Sequence, residues 1–588
     1  MHVVATAGHV DHGKSTLVTT LTGMDPDRFA EEKARGLTID LGFAWTTLPS
    51  GCQLAFVDVP GHVRFLHNML AGAGTVHACV FVVAATEGWK PQSEEHLRIL
   101  ELLDVKYGII ALTKVALVDD ELLLQRREDV AARVAGTFLE GSPICEVDAP
   151  SGIGLSAFTK ALDELVAALP SPVDRGRARL WIDRSFTMRG AGTVVTGTLA
   201  GGSLAVGDVL SAVPGPLPDR SPLEVRVRGL QSHKQALHEV TPGQRVAVNV
   251  TGVSHTQLGR GQALVHLDQW APATTIDASL TVLAALGHDV GRQGAYQAYL
   301  GSSEHSVAIR ILGGDALAPG EDGFIRMHFP VALALLPGDR YVLRESGRSE
   351  TIGGGEVLDV SPVRSLARAR PDRSVDRVIS ERLWLTPDEL DRLTGERRVP
   401  TLLGWIVHPA ALHTSKERIR RAVEESGTLG LEIAQLSDRE RAVLSTMDEI
   451  TSDGTWARFG RTSSIHPLAD HPYLAMLDRA PFAPPTPEES GVSKEELREL
   501  VRSGRVIERE GCYFSPTAVK TAARCVARLL AESPEGITAS AVRNELRTTR
   551  KYALPILSYL DAAGITRRRG DLRIAGPRLG SDPTEEGE

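Results

Sequence analysis

Cysteine is scarce in this 588-residue chain. The five present, Cys52, Cys79, Cys145, Cys512 and Cys525, form no C-x-x-C pair. That argues against a zinc ribbon or a disulfide framework and for a reducing compartment. Long apolar runs are missing too: none reaches the ~18 residues that a membrane-spanning helix needs. The chain opens directly on an apolar run and a glycine-rich motif, which leaves no room for a cleaved leader. A cytoplasmic protein with no membrane partner is therefore expected. Nor is there an excess of positive charge. A net charge of −9 excludes a polycation, so any nucleic-acid surface has to be a local patch. What remains is 42% hydrophobic and 24% charged, ordinary globular proportions, with length for about three to five domains.

Three regimes follow one another. Residues 1–172 alternate short apolar runs (MHVVATA, QLAFVDV, ACVFVVAA, YGIIALT) with helical stretches. Runs apolar on both faces, separated by helices, predict a parallel sheet covered on both sides, an α/β domain. LPSPVDRGR reads as a linker. From about 176 to 362 helical periodicity is scarce. GTVVTGTLA, the Gly201-Gly202 turn and SLAVGDVL read as a hairpin, and turn signals recur in PLPDRSP, VTPGQRV and LLPGDRY. Two β-barrels, 176–268 and 272–362, are expected, with a sandwich as the alternative. From 370 to 577 amphipathic helices such as SKEELRELVRSG precede short strands. This predicts several small winged-helix domains, whose individual repeats are indistinct over 375–490. The acidic end, 578–588, is expected to be a disordered tail.

The chemistry begins at A-G-H-V-D-H-G-K-S-T. Gly8, Gly13, Lys14 and Ser15 fit G-x-x-x-x-G-K-[ST], in which backbone N–H groups cradle phosphate, the lysine adds charge and the hydroxyl binds Mg²⁺. Gly8, His9, Val10, Asp11, His12, Gly13, Lys14, Ser15 and Thr16 are thus candidate nucleotide-binding residues. A second strand, QLAFVD, ends in Asp58, followed by Val59, Pro60, Gly61 and His62. Asp58 can hold Mg²⁺ through water and the Gly61 N–H can sense a γ-phosphate. Between the two lies R-G-L-T-I-D, where Thr38 could reach the metal once the γ-phosphate is present.

With these three motifs in order, the chain resembles the translational GTPases of the elongation factor Tu type. The resemblance implies GTP and Mg²⁺ as ligands, His62 as the residue that orients the attacking water on the ribosome, and Val10 with Ile39 as an apolar gate beside that water. Thr113 and Lys114 match the start of the base-recognition motif [NT]-K-x-D. The chain then departs from it: Ala116 stands where the guanine-reading Asp is expected, and Asp148-Ala149 where Ser-Ala is expected. GTP remains the expected nucleotide, and Asp148 is a candidate for compensation.

LWIDR, F-T-M-R-G-A-G-T-V-V-T-G and GQRVAVN look like the second domain of such a factor, and LLPGDRYVLRESGRSETIGGGEVLD like the closing hairpin of its third. The last stretch, 537–573, resembles the winged-helix extension of the bacterial selenocysteine-specific elongation factors. On its own residues, this stretch predicts a helix capped by Thr538, and a second with Ala553, Ile556, Leu557 and Leu560 on one face. Gly564 ends that helix, and a hairpin follows with Gly570-Asp571 at its tip. Arg547, Arg550 and Lys551 form one basic cluster and Arg567, Arg568, Arg569 and Arg573 a second, on the wing; two such clusters on one compact fold point to RNA. The resemblance names that RNA as a hairpin in selenoprotein messages. It also implies selenocysteyl-tRNA and the ribosome as partners of a monomer, delivery at in-frame UGA codons, and a selenocysteine pocket of Asp183, Arg184 and Arg245. The rival reading is a nucleotide-sensing RNA-binding adaptor with a degenerate GTPase site, for which Ala116 and Asp148 speak.

Overall fold

The computed structural model describes residues 2–26, 41–59, 76, 78–190, 192–216, 221–427, 430–460 and 468–584. It divides into two compact units, Met1–His408 and Pro409–Glu588.

The first unit starts with a six-stranded sheet made of β1 (His2–Ala7), β2 (Gly42–Thr47), β3 (Gln53–Asp58), β4 (Ala78–Ala84), β5 (Tyr107–Thr113) and β6 (Ile144–Glu146), in the order β2-β3-β1-β4-β5-β6. Every neighbouring pair is parallel except β2 with β3. The runs are apolar throughout because alternate side chains feed two different cores. Val3, Ala5, Cys79, Phe81 and Val83 face one side, where they meet α2 (Pro91–Leu102) and α3 (Asp120–Val134). Val4, Ala78, Val80 and Val82 face the other, against α1 (Lys14–Thr22) and α4 (Leu155–Ala168).

Two closed barrels follow, as expected from the scarcity of helical periodicity. In the first, the ring runs through Val209–Val213, Ala263–Val265, Arg179–Trp181, Gly192–Ala200, Arg245–Thr251 and Leu223–Ser232 and back to its start. In the second it runs through Ala273–Val282, Asp322–Leu333, Ser303–Leu312, Tyr296–Leu300, Arg340–Glu345 and Glu350–Asp359. Trp181 of the first barrel is buried in the core of the second. The Arg179 guanidinium lies 5.4 Å from the Trp181 ring and 5.0 Å from that of Trp270, and pairs with both carboxylate oxygens of Asp339 at 2.6 Å. Two helices, Val375–Arg382 and Pro387–Thr394, and a short hairpin pairing Trp384–Leu385 with Ile406–Val407 complete this unit.

The second unit repeats helices followed by a hairpin. Helices Pro409–Glu425 and Asp438–Leu444 accompany a three-stranded sheet over 431–459. Helices Pro472–Arg479 and Lys494–Arg502 precede the hairpin Ile507–Arg509/Cys512–Phe514. Finally Pro516–Glu532, Ala539–Glu545 and Arg550–Ala562 pack on a sheet of Ile537–Thr538, Leu572–Ala575 and Thr566–Arg569. Thr538 caps its helix, accepting from the Ala541 N–H at 3.2 Å. The expectation of a disordered tail fails for 578–584. Leu579 packs on the core of the last domain, Asp582 pairs with Lys520 at 2.5 Å, and the Tyr559 hydroxyl donates to the Pro583 carbonyl at 3.2 Å.

Candidate functional site

The phosphate loop joins β1 to α1, and its shape is set by backbone that ordinary residues resist. Gly8, Asp11 and Gly13 have φ of 130°, 60° and 86°, and a Cβ on Gly8 would lie 2.2 Å from the Val82 carbonyl oxygen. Only glycine lets the loop sit that close to β4. The Lys14 ammonium closes the loop by donating to the carbonyls of Gly8 and His9 at 3.0 and 2.8 Å. Support comes from α2, where His96 Nδ1 accepts the Gly8 N–H at 3.1 Å and Gln92 Oε1 accepts that of Val10 at 3.3 Å. Burial, and then the Lys14 charge, push the His96 pKa down to about 3, so the ring is neutral and its lone pair accepts. Neither His96 nor Gln92 carries a motif that would single it out in the sequence.

Asp58 is fully buried at the end of β3. Its two oxygens accept the Thr6 and Ser15 hydroxyls at 2.6 and 2.7 Å. A serine hydroxyl against a carboxylate, next to a phosphate cradle, is the hard-oxygen donor set that suits Mg²⁺. Thr38, Ile39, Gly61 and His62 lie outside the described residues. A separate group, His9, His12 and Glu87, brings one ligand atom each to within 4.8 Å of the others. Burial lowers the pKa of both imidazoles, that of His12 to about 4.

At the far end of the crevice, the Thr113 hydroxyl donates to the His12 carbonyl at 2.6 Å, which ties the end of β5 to the phosphate loop. Lys114 follows with φ 58° and its ammonium 3.4 Å from Glu87. Asp148 holds its own turn together: its Oδ2 accepts the Ser151 hydroxyl at 2.5 Å and the Ser151 N–H at 3.1 Å.

The residues expected to form a charged pocket do converge. Asp183 and Arg245 make a two-point ion pair, Nη1 to Oδ2 and Nη2 to Oδ1, the latter at 3.0 Å. Thr196 joins them, donating to Asp183 at 2.7 Å and accepting from Arg245 at 3.3 Å. Arg184 donates to the Leu41 carbonyl. Both guanidiniums lie over the Phe43 ring, that of Arg245 at 3.3 Å and that of Arg184 at 4.7 Å. With Trp45, Phe186, Met188 and others they line a cavity of about 560 Å³ between β2 and the first barrel.

On the last domain Arg547, Arg550, Lys551, Arg567, Arg568 and Arg569 are exposed. Arg573 is not with them: it is buried and its Nε donates to Asp561 at 3.3 Å. Arg573 lies on the central strand of the three-stranded sheet, paired with Ile537 on one side and Arg568 on the other, whereas Arg567, Arg568 and Arg569 lie on an outer strand.

Comparison with known proteins gives the following. The model for the elongation factor Tu GTP binding domain matches residues 1–171, and that for the winged helix of elongation factor SelB matches 528–575. The selenocysteine-specific elongation factor of Desulfomicrobium baculatum is 30% identical over 97% of this chain and 99% of its own. That of Escherichia coli K12 is 30% identical over 97% and 98%. Among solved structures, a bacterial selenocysteine-specific elongation factor EF-Sec superposes with a TM-score of 0.70 at 25% identity, over 98% of this chain and all of the other.

Proposed function

This chain belongs to the family of selenocysteine-specific translation elongation factors, and from that premise we propose how its residues carry the work. It is a GTPase of the elongation factor Tu type. Gly8 to Thr16 hold the phosphates, Lys14 neutralises them, and Thr113 and Lys114 flank the base. Ser15, Asp58 (through water) and Thr38 hold Mg²⁺, which would neutralise charge on the transferred phosphoryl group. His62 orients the attacking water when the ribosome stimulates hydrolysis; a His62→Ala variant hydrolysing at the wild-type rate on ribosomes would remove it from that role.

The cargo is selenocysteyl-tRNA, delivered in the cytoplasm to ribosomes at in-frame UGA codons. The C-terminal winged helices hold a hairpin of the message and so raise the local concentration of the carrier at one codon. The observation that carries this reading is the stacking of Arg184 and Arg245 on Phe43. The same tRNA first carries serine, so the tRNA body cannot tell the two apart. A selenol is an anion at neutral pH and the serine hydroxyl is neutral. Arg184 and Arg245 set two fixed positive charges at this cavity, which attract a selenolate and offer nothing comparable to the neutral serine hydroxyl. Arginine suits the role because it stays charged when partly desolvated.

The test is affinity for selenocysteyl- and seryl-tRNA with GTP present. Arg184→Ala should narrow the gap between the two by about tenfold or more, the worth of one charge-assisted hydrogen bond. Arg245→Ala should narrow it further, because it also strands the Asp183 carboxylate, whose negative charge then opposes a selenolate. An undiminished preference in both variants would sink the charged-pocket account.

A further inference from the structure

β1 and β4 are parallel neighbours in the sheet, so the phosphate loop that follows β1 meets the turn that follows β4. That meeting brings His9 and His12 of the loop beside Glu87 of the turn. One ligand atom of each lies within 4.8 Å of the others, and the two imidazole rings stand edge to face with centroids 5.0 Å apart. The phosphate cradle needs backbone N–H groups, a lysine and a hydroxyl; neither imidazole has a part in it.

The hydrogen bonds settle which nitrogens are available. His12 is wholly buried, and its Nδ1 lies 3.3 Å from the Val82 carbonyl oxygen. A carbonyl only accepts, so Nδ1 carries the proton and Nε2 holds the lone pair. Nε2 is buried with no hydrogen-bond partner among the described residues, and the same is true of His9 Nδ1. Such orphans are rare in folded proteins. A ring that donates one N–H to a backbone carbonyl and offers its other nitrogen is how a metal-binding imidazole is held. Burial also keeps His12 deprotonated, its pKa down at about 4, so no proton has to leave before an ion enters.

We propose that His9 Nδ1, His12 Nε2 and a Glu87 carboxylate oxygen form a site for a first-row transition-metal ion, Zn²⁺ above all, separate from the Mg²⁺ site at Ser15 and Asp58. Two imidazoles and a carboxylate suit Zn²⁺ and leave a fourth position for water, whereas Mg²⁺ takes oxygen ligands. Tetrahedral bonds of about 2.0–2.1 Å put ligand atoms about 3.3 Å apart, so the group closes by up to about 1.5 Å on binding. Glu87 supplies that movement by rotating, since its side chain is 34% exposed. The cations facing the site are Lys14, Lys90 and Lys114. Lys14 is directed at the carbonyls of Gly8 and His9. Lys90 and Lys114 stand 3.9 and 3.4 Å from Glu87, longer than the strong charge-assisted bonds of about 2.8 Å that would hold it back. The bound ion clamps the phosphate loop to the turn after β4.

The test titrates Co²⁺, a coloured stand-in for Zn²⁺, into the reduced, nucleotide-free full chain with excess Mg²⁺ present. One equivalent should bind and give the visible bands of a tetrahedral nitrogen–oxygen site, without the near-ultraviolet band of a sulfur ligand, and Zn²⁺ should bleach it. Glu87→Ala and His9→Ala should each weaken binding at least about tenfold. His288→Ala, in the other His–Glu group with Glu345 and Glu350, should leave it unchanged. X-ray absorption of the Zn²⁺-loaded wild-type chain decides the matter even where a variant fails to fold: two imidazoles and no sulfur should surround the ion. No bound equivalent, a sulfur ligand, displacement of Co²⁺ by Mg²⁺, affinity unchanged in Glu87→Ala or His9→Ala, or affinity lost in His288→Ala would each overturn the proposal.

Discussion

At the scale of the residue, the phosphate loop depends on side chains outside its motif. His96 must stay neutral to accept the Gly8 N–H. In the folded chain burial holds its pKa at about 3, and that of His12 at about 4; in an unfolded chain a histidine titrates near 6.5. Below that value the unfolded chain takes up protons that the native chain refuses, so stability is intact above pH 6.5 and falls as the pH drops from there towards 3. At pH 5.5 each of the two should cost about 1 kcal/mol. His96→Gln keeps an acceptor near Gly8 and cannot titrate. Its unfolding midpoint should therefore lose less than that of the wild type between pH 7.5 and 5.5. Equal losses would show that His96 does not govern the acid side of the stability curve.

The loop itself was legible in the sequence because its residues are contiguous and its demands are local: glycine where φ is positive, a lysine, a hydroxyl. Asp58 was legible for the same reason, as the last residue of an apolar strand. His96 and Gln92 were not, since they reach the loop from about 80 residues away and no local pattern marks a bracing residue. Phe43 and Trp45 were missed because an aromatic in a strand reads as core. Only the packing of β2 against the first barrel turns them into a pocket wall.

At the scale of the element, the wing shows where charge alone misleads. Seven basic residues were expected to face RNA, and a place on the central strand beside Asp561 withdraws one of them. Arg573 stands inside with Asp561, at 9% and 23% side-chain exposure, and Arg567 and Arg569 share the outward face. Replacing Arg567 and Arg569 together with glutamine should weaken binding of the message hairpin and lower its salt slope by about one to two, because fewer counterions are released. Arg573→Gln should leave the slope unchanged and lower the unfolding midpoint, since it leaves the Asp561 carboxylate without its ion-pair partner. Titrations at several salt concentrations separate the two. A lowered slope in Arg573→Gln would mean that the arginine leaves Asp561 to reach RNA.

The helices over 375–490, indistinct by apolar periodicity, carry a clearer signal in their caps. Thr386 with Glu389, Ser437 with Glu440 and Thr486 with Glu489 each form a reciprocal capping box. The same S/T-x-x-E pattern is plain in TPDE, SDRE and TPEE. Those helices are short, seven or eight residues in the first two cases and four in the third. That is too few turns for a hydrophobic stripe to stand out, whereas a cap needs only four positions.

At the scale of the whole molecule, the contacts between the first three domains are ionic and aromatic as well as apolar. Arg344 of the second barrel donates to Glu95 of α2 at 2.8 Å, one residue from His96, and to Thr351 at 2.7 Å. Val342 of the same strand is buried in the α/β core. The first barrel meets the other edge of the sheet, through Phe43 and Trp45. His233 stacks on Trp45 at 5.4 Å, and Lys234 lies 5.6 Å from that ring.

That last contact bears on why the α/β domain is followed so closely by a barrel. The barrels have closed rings, but the open sheet has two outer strands. One, β6, has three residues; the other, β2, has six, with the sequence GFAWTT. An uncovered strand with two large aromatics and no charge is a template for pairing with another chain, and so a seed for aggregation. Here the rings of that strand are roofed by arginines, a histidine and a lysine of the neighbouring barrel. A fragment ending at residue 172 would expose this edge and should precipitate or self-associate in light scattering, whereas one ending at 362 should stay monodisperse. Equal solubility of the two would mean that β2 needs no cover. The surface proposed to read the amino acid would thus also keep the sheet from templating its own aggregation.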